Sequence, residues 1–127
     1  MTAERKNEEI TIGGCSVTDL AREYGTPSFI LDEADFKSRA HQWRSSVEKS
    51  FGENAGITYY AAKAFISKEI ARWVEDAGLG LDVCTGGELA VAIAAKFPPA
   101  RIEMHGNNKS EAEITDAIDY RVGIIVV

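Results

Sequence analysis

A lysine lies inside a short apolar run, Tyr59-Tyr-Ala-Ala-Lys63-Ala-Phe65. Lysine is rarely buried, because moving its ammonium group out of water is costly. Lys63 is therefore either a surface residue whose stem extends from a strand end or a side chain with a chemical function. In a partly apolar pocket a lysine loses its proton more readily, and its neutral amine can form a Schiff base. That chemistry is required of a lysine that holds pyridoxal 5'-phosphate (PLP).

Two further polar residues lie at the ends of predicted strands. Asp82 could orient a neighbouring lysine or a cofactor substituent, or it could hold backbone N–H groups in a turn. His105 could face a cofactor ring. Thr85-Gly86-Gly87 opens a predicted helix and could hold an anion there, although a capped helix start explains this pattern equally well.

Alternating strands and helices position these residues. The four predicted strands cover residues 57–62, 79–83, 101–105 and 122–127. Helices are predicted between them, and Thr85 and Ser110 each precede a glutamate by three residues, which is the pattern of a capping box. Strands that alternate with single helices predict parallel βαβ units. Right-handed crossovers then give a doubly wound sheet or part of a (β/α)8 barrel, and active sites lie at the carboxyl ends of such strands.

The segment before the first of these strands is less regular. The first ten residues are polar and are predicted to form a frayed arm, and Cys15–Gly25 is predicted to be a short helix. Ser28–Leu31 reads as a short strand. Asp32 is predicted to cap a longer helix with one apolar stripe, formed by Phe36, Ala40, Trp43 and Val47. We therefore divide the chain into a lead-in arm with a short helix, residues 1–27, and a barrel segment, residues 28–127.

Composition narrows the class of protein. The chain has 127 residues, a 45% apolar fraction and a formal net charge of −6, which argues against nucleic acid as a partner. No apolar run approaches the ~20 residues of a membrane span, and the N-terminus lacks a signal-peptide core. Cys15 and Cys84 are far apart, so a disulfide scaffold is not expected and a cytoplasmic protein fits best. A zinc site at Cys84 and His105 would need two more ligands, and we expect no metal.

The chain ends on the apolar strand Gly123-Ile-Ile-Val-Val127, without a following helix. A complete (β/α)8 barrel takes about 250 residues. We therefore expect the chain to be the N-terminal part of a longer protein, with about the first four βα units. The alternative is a small α/β domain that ends on its last strand.

Three motifs in order carry a family resemblance: YYAAKAF from Tyr59, GLDVCTGGELAVAIAA from Gly80 and HGNNKS from His105. Together they resemble the N-terminal half of the barrel of the diaminopimelate decarboxylases, PLP enzymes of the alanine-racemase-like class. The upstream Glu23–Phe36 resembles the lead-in segment of that family. The resemblance covers Val17–Val127. The first motif is shared in looser forms with arginine and ornithine decarboxylases, whereas the other two indicate the diaminopimelate branch.

The resemblance implies that Lys63 forms the Schiff base with PLP and that Asp82 and His105 lie near this lysine and the cofactor ring. It implies decarboxylation of meso-diaminopimelate to L-lysine and CO₂, the last step of lysine biosynthesis, by a cytoplasmic homodimer that needs no metal. In this family the phosphate site, the acid at the pyridine nitrogen and the substrate-binding arginines lie in later parts of the chain. The proton-donating cysteine also comes from a later domain, so Cys84 is expected to be a packed core residue.

These expectations leave two alternatives open. The chain could belong to another PLP barrel protein, such as an amino-acid racemase or a PLP carrier. It could also be a non-enzymatic half-barrel that pairs with a second copy and covers the bare edges of its sheet. In any of these cases the 127-residue chain alone is not expected to turn over a substrate.

Overall fold

A computed structural model describes residues 2–6, 8–53 and 55–127. The chain separates into two units, residues 1–39 and 40–127. Each unit has its own sheet, antiparallel in the first and parallel in the second. The division proposed from the sequence, at residue 27, stays a prediction.

The first unit begins with a small antiparallel sheet. Its strands are β1 (Ala3–Lys6), β2 (Glu9–Ile12) and β3 (Cys15–Ser16), in the order β1-β2-β3. The predicted frayed arm is therefore wrong for the described residues of this segment. Gly13 and Gly14 both have positive φ, of 57° and 80°, which allows the tight turn that returns β3 along β2.

Helix α1 (Val17–Tyr24) follows the sheet, and the Ser16 hydroxyl caps it by accepting from the Asp19 N–H. The strand predicted at Ser28–Leu31 is not formed, and Phe29 is 96% exposed. A short apolar run does not specify a strand when no neighbouring strand pairs with it. Helix α2 (Glu33–Phe51) begins as predicted, with the Asp32 carboxylate accepting from the Asp35 N–H at 3.1 Å.

The second unit contains the predicted parallel sheet. Its strands are β4 (Tyr59–Ala61), β5 (Gly80–Val83), β6 (Ile102–Met104) and β7 (Ile124–Ile125). They are parallel in the order β4-β5-β6-β7, so each strand pairs with the next one in sequence. The connecting helices are α3 (Lys68–Asp76), α4 (Gly86–Ala94) and α5 (Glu111–Asp119). This arrangement confirms the prediction of an α/β fold with successive βα units, and the sheet of this chain is open.

One face of the parallel sheet packs against the helices. Leu81, Val83, Ile102 and Met104 point to this face, and all four are fully buried. Ile70 and Val74 of α3 and Leu89 and Ala92 of α4 complete the core on the helix side. The stripe predicted on α2 is only partly buried, because Trp43 remains 67% exposed whereas Ala40 is buried.

Polar and small residues occupy the other face of the sheet. Ala61 pairs with Asp82, and Asp82 pairs with Glu103, so the three share a face by strand alternation. Tyr59 lies on the same face, and a Cβ added to Gly80 would lie 2.5 Å from its ring. Parallel sheets are usually apolar on both faces, because helices cover both of them. The polar residues on this face are therefore unusual, and they indicate a functional site. No helix among the described residues is long and apolar enough to cross a membrane.

Candidate active site

Lys63 lies immediately beyond the carboxyl end of β4. The predicted strand extended one residue too far at its carboxyl end, and Lys63 lies in a 3-10 turn, Ala62–Ala64. Ala62 is buried, whereas Lys63 is exposed. The Tyr60 hydroxyl donates to the Phe65 carbonyl at 2.8 Å and so ties the turn back to the strand. The fold thus fixes the backbone of Lys63, and its amine forms no hydrogen bond or ion pair with the described side chains.

Asp82 and His105 are brought together at the ends of β5 and β6. His105 Nδ1 lies 2.7 Å from Asp82 Oδ1, a short contact between a ring nitrogen and a carboxylate. The Asp82 side chain is 17% exposed and that of His105 is 43% exposed. The backbone supports the pair, because the His105 N–H donates to the Val83 carbonyl at 2.8 Å. The two residues predicted on neighbouring strands therefore meet, and Asp82 orients the imidazole.

The sequence interpretation missed Glu103, which also contacts this histidine. Glu103 Oε1 lies 3.3 Å from His105 Nε2, and its side chain is 17% exposed. The pKa of the Tyr59 phenol is raised, first by burial and then by the negative charge of Glu103. The signal was available in the sequence: Glu103 stands two residues before His105, so both side chains of this strand point to one face.

Cys84 lies among the same charged groups. Burial raises the pKa of its thiol, and the carboxylates of Asp82 and Glu88 add to this effect. Lys63 and Lys109 act in the opposite direction on the same thiol, so both amines lie within electrostatic reach of it. Cys84 is half-buried and unpaired by any disulfide, and the raised pKa disfavours the reactive thiolate.

A further lysine organises the loop after β6. Lys109 Nζ donates to the carbonyls of Gly106 and Val126. These bonds join the loop after His105 to the segment after β7, on the side of the sheet where Lys63 lies. The Lys109 amine thus donates hydrogen bonds to two carbonyls, whereas the Lys63 amine donates none to the described side chains.

The predicted anion site at Thr85-Gly86-Gly87 is filled by a carboxylate of the chain itself. Glu113 Oε1 accepts from the Gly86 N–H at 2.6 Å, at the first residue of α4. Glu113 Oε2 accepts from the N–H and the hydroxyl of Ser110, which completes the capping box predicted at α5. One carboxylate therefore caps two helices, and the N–H of Gly86 is not free for an outside anion.

The other predicted capping box forms only in part. The Thr85 hydroxyl accepts from the Glu88 N–H at 3.2 Å, as expected. The Glu88 carboxylate, however, accepts from the Cys84 N–H at 2.6 Å and not from the backbone of Thr85. Glu88 thus fixes the loop between Asp82 and α4, which holds the end of β5 in place.

Replacing Glu113 should make the free energy of unfolding less dependent on pH in the acidic range. Hydrogen bonds from the Ser110 backbone, the Gly86 backbone and the Ser110 hydroxyl lower the pKa of Glu113. A carboxyl group whose pKa is lower in the folded state stabilises the fold above its unfolded pKa, about 4.3, and that contribution is lost as pH falls through the folded value. Glu113→Gln should therefore destabilise the chain at neutral pH, and the difference should shrink as the pH falls below about 4.

The measurement is urea unfolding of both chains across this pH range. Glu111→Gln is the matched control, because it removes the same charge from the same first turn of α5 at an exposed position. The control should show a smaller loss at neutral pH. Equal losses for the two variants at every pH would contradict the role given to Glu113.

The residues on this face suit a pyridoxal group. The free amine of Lys63, the oriented ring of His105 and the Asp82 carboxylate are the amine, the flat ring and the acid that such a group requires. The small side chain of Ala61 lies beside Asp82 on this face of the sheet. The partly apolar pocket expected around Lys63 is not formed by the described residues, since this side chain is exposed.

Comparison with known protein families gives one match over most of the chain. Residues 33–127 match the model of the pyridoxal-dependent decarboxylases, pyridoxal-binding domain. The chain belongs to this family. The resemblance seen in the three motifs is thereby confirmed at the level of the family, as is its cofactor, pyridoxal 5'-phosphate. The matched range includes Lys63, Asp82 and His105, the three site residues predicted from the sequence.

Similar proteins point to one branch of the family. The chain is 54% identical over 118 residues to a diaminopimelate decarboxylase of Mycobacterium tuberculosis, covering 93% of this chain and 25% of that protein. It is 42% identical over 124 residues to a diaminopimelate decarboxylase of Bacillus subtilis, covering 98% of this chain and 28% of that protein. The chain thus spans about a quarter of the length of these relatives.

Solved structures agree with the fold of the pyridoxal-binding domain. A diaminopimelate decarboxylase from M. jannaschii superposes with a TM-score of 0.82 at 29% identity, covering 99% of this chain and 30% of that chain. A lysine/ornithine decarboxylase from Vibrio vulnificus superposes with a TM-score of 0.68 at 21% identity, covering 87% of this chain and 29% of that chain. The latter likeness concerns the fold alone.

Proposed function

We propose that this chain is the lysine-bearing part of a diaminopimelate decarboxylase, which converts meso-diaminopimelate to L-lysine and CO₂. The observation that carries the proposal is the position of Lys63: its exposed amine stands at the carboxyl end of β4, next in the sheet to the strand that bears Asp82. The relatives named diaminopimelate decarboxylase support the choice of substrate. One solved relative of that name is a complex with L-lysine, the expected product.

Each site residue has a distinct task in this proposal. When bound, PLP supplies a carbonyl for an amine and a ring that takes up the electron pair left by a departing carboxylate. Lys63 would provide the amine that holds the cofactor. Asp82 holds Nδ1 of His105 and so fixes the plane of the imidazole. His105 presents that ring on the same side of the sheet.

The proposal extends to the setting of the whole protein. We propose that it works in the cytoplasm as a homodimer, with the small amino acid meso-diaminopimelate as substrate. The net charge of −6 supports a partner other than nucleic acid.

A chimera tests the function directly. The corresponding segment of the M. tuberculosis relative would be replaced by this chain, which is 54% identical to it over 118 residues. The chimera should form L-lysine from meso-diaminopimelate, and the same chimera with Lys63→Ala should not. A folded chimera that binds PLP yet forms no lysine would contradict the proposal.

A further inference from the structure

The loop from His105 to Lys109 follows β6, and the sheet holds its first residue. The His105 N–H donates to the Val83 carbonyl at 2.8 Å, directly beyond the paired residues of β5 and β6. The chain then turns at Gly106, whose φ is 109°. A Cβ added to Gly106 would lie 3.0 Å from the Cys84 carbonyl, so the turn passes close to the end of β5 and requires glycine.

Lys109 closes this loop and joins it to the next strand. Its amine donates to the carbonyl of Gly106, three residues earlier, and to the carbonyl of Val126, directly after β7. The Val126 N–H donates to the Met104 carbonyl at 3.0 Å, so the backbone ladder between β6 and β7 reaches this residue. The next acceptor of the ladder, the Val126 carbonyl, receives its hydrogen from a side chain. Lys109 thus extends the pairing where the backbone after β6 turns away.

The short length of β7 makes this extra bond important. The strand is only Ile124–Ile125 and forms two residue pairs with β6. Both hydrogen bonds of the Lys109 amine are partly buried, so water competes with them less than at an open surface. The two residues inside the loop, Asn107 and Asn108, are exposed. The order of this loop and of the end of β7 therefore depends strongly on Lys109.

We propose that Lys109 is a positioning residue, which orders the loop from His105 to Lys109 and the end of β7 before the cofactor binds. His105 begins this loop and lies beside Asp82 on the face of the site. A loop that is already ordered spares the binding step the entropic cost of ordering it. Lys109 thus strengthens cofactor binding through the loop that carries His105. This effect rests on the proposed function, whereas the two hydrogen bonds of Lys109 do not.

Proton–nitrogen NMR of the lysine amines tests the two bonds in the ligand-free chain. Amine hydrogens on exposed lysines exchange rapidly with water and give no signal, whereas hydrogens held in partly buried bonds exchange slowly. In a chain labelled with nitrogen-15 lysine, at low temperature and mildly acidic pH, Lys109 should give a signal. The Lys109→Met chain should lack that signal, which assigns it. The exposed Lys68 is the internal control and should give none.

Lys109→Met should speed amide hydrogen exchange at the two segments that Lys109 joins. Methionine has a stem of similar length and lacks the hydrogen-bond donors. Loss of the two bonds should increase local opening at the His105 and Val126 amides about tenfold. The amide of Ala71, which is buried in α3 and donates to the Ser67 carbonyl, should be unchanged. Lys68→Met is the matched control variant and should change none of these amides.

The chimera described above tests the effect on the cofactor. In it, Lys109→Met should raise the PLP concentration for half-saturation about tenfold, measured from the absorbance of bound PLP. The rate of lysine formation at saturating PLP should change by less than about twofold, because the bound cofactor then keeps the loop ordered. Lys68→Met should alter neither quantity. A purely structural role of Lys109 would lower the unfolding temperature and leave the PLP concentration for half-saturation unchanged.

Several results would overturn the role of Lys109. A parent spectrum without a Lys109 amine signal would do so, and that measurement needs no variant to fold. So would a Lys109→Met chain in which exchange at His105 and Val126 is unchanged, or is raised equally at Ala71. In an active chimera, an unchanged PLP concentration for half-saturation would also reject it and leave the decarboxylase function standing. A parent chimera that binds no PLP would instead reject the function, and the amine and amide measurements would still test the two bonds.

Discussion

A Lys63→Ala chain should lose the pyridoxyl group that borohydride fixes on the protein. Borohydride reduces the bond between an amine and the PLP aldehyde to a stable secondary amine, so the label marks the amine that reacted. Lys63 provides an exposed amine on a backbone held by the buried Ala62 and by the Tyr60 hydroxyl bond. Alanine keeps that backbone and removes the side chain beyond Cβ, including the amine. The label should fall to the background, measured as the added mass of the intact chain.

A second lysine distinguishes a specific site from general reactivity. Lys68 is exposed on the first turn of α3, and the Lys68→Ala chain should keep the full label. Thermal unfolding of both variants would establish that each one folds like the parent. Equal labelling of the Lys63→Ala chain and the parent would refute the assignment of Lys63.

Phe97→Ala should destabilise the second unit by about 3–5 kcal/mol. Phe97 is fully buried and is among the largest of the completely buried side chains. Its backbone N–H donates to the Ala92 carbonyl at 3.0 Å, and its carbonyl accepts from the Tyr120 hydroxyl at 2.8 Å. These bonds fix its backbone, so the neighbours can collapse only partly into the space that alanine leaves.

The Arg101 guanidinium adds to this cost. It lies 5.4 Å from the centre of the Phe97 ring, and its Nε donates to the Leu79 carbonyl at 3.1 Å. Loss of the ring therefore also removes a cation–π contact of about 0.5–1 kcal/mol. Against a total stability of about 5–15 kcal/mol for a domain, the effect should be plain in urea unfolding.

An exposed phenylalanine provides the control for this substitution. Phe51 is 74% exposed at the end of α2, and Phe51→Ala should change the unfolding free energy by no more than about 0.5 kcal/mol. A loss below about 1 kcal/mol for Phe97→Ala would mean that the core around this ring is not packed as described.

The parallel sheet could be predicted from the sequence because its pattern is redundant. Each strand is a short segment rich in apolar residues, and capping residues start helices at Thr85 and Ser110 within the following segments. The strand ends were predicted too far out by one or two residues, because side-chain periodicity does not show where backbone pairing stops. The 3-10 turn that holds Lys63 was not predicted for the same reason.

The first unit was predicted less well for a different reason. Its sheet depends on pairing between β1 and β2, which are short and have few apolar residues. Local periodicity does not show which segments pair with each other, so a polar arm and a polar strand have similar sequence patterns. Conversely, the apolar run at Ser28–Leu31 has high strand propensity and no strand to pair with among the described residues.

Contacts between distant residues explain what was missed at the site. Asp82 and His105 could be chosen as candidates from the sequence, since each is a polar residue at a predicted strand end. The hydrogen bond from Gly86 to Glu113 joins two successive βα units, and the local sequence around either residue does not predict it. Glu103 was not among the candidates chosen from the sequence, although strand alternation places it on the face that bears His105.

The location of the pyridoxyl group is the most direct test of the account. The parent chain would be incubated with PLP, reduced with borohydride, digested and mapped by mass spectrometry. The account predicts that the label lies on the peptide containing Lys63, with little at Lys109, whose amine donates to two backbone carbonyls. A label spread evenly over the exposed lysines would contradict it, because the strand end would then give Lys63 no special reactivity.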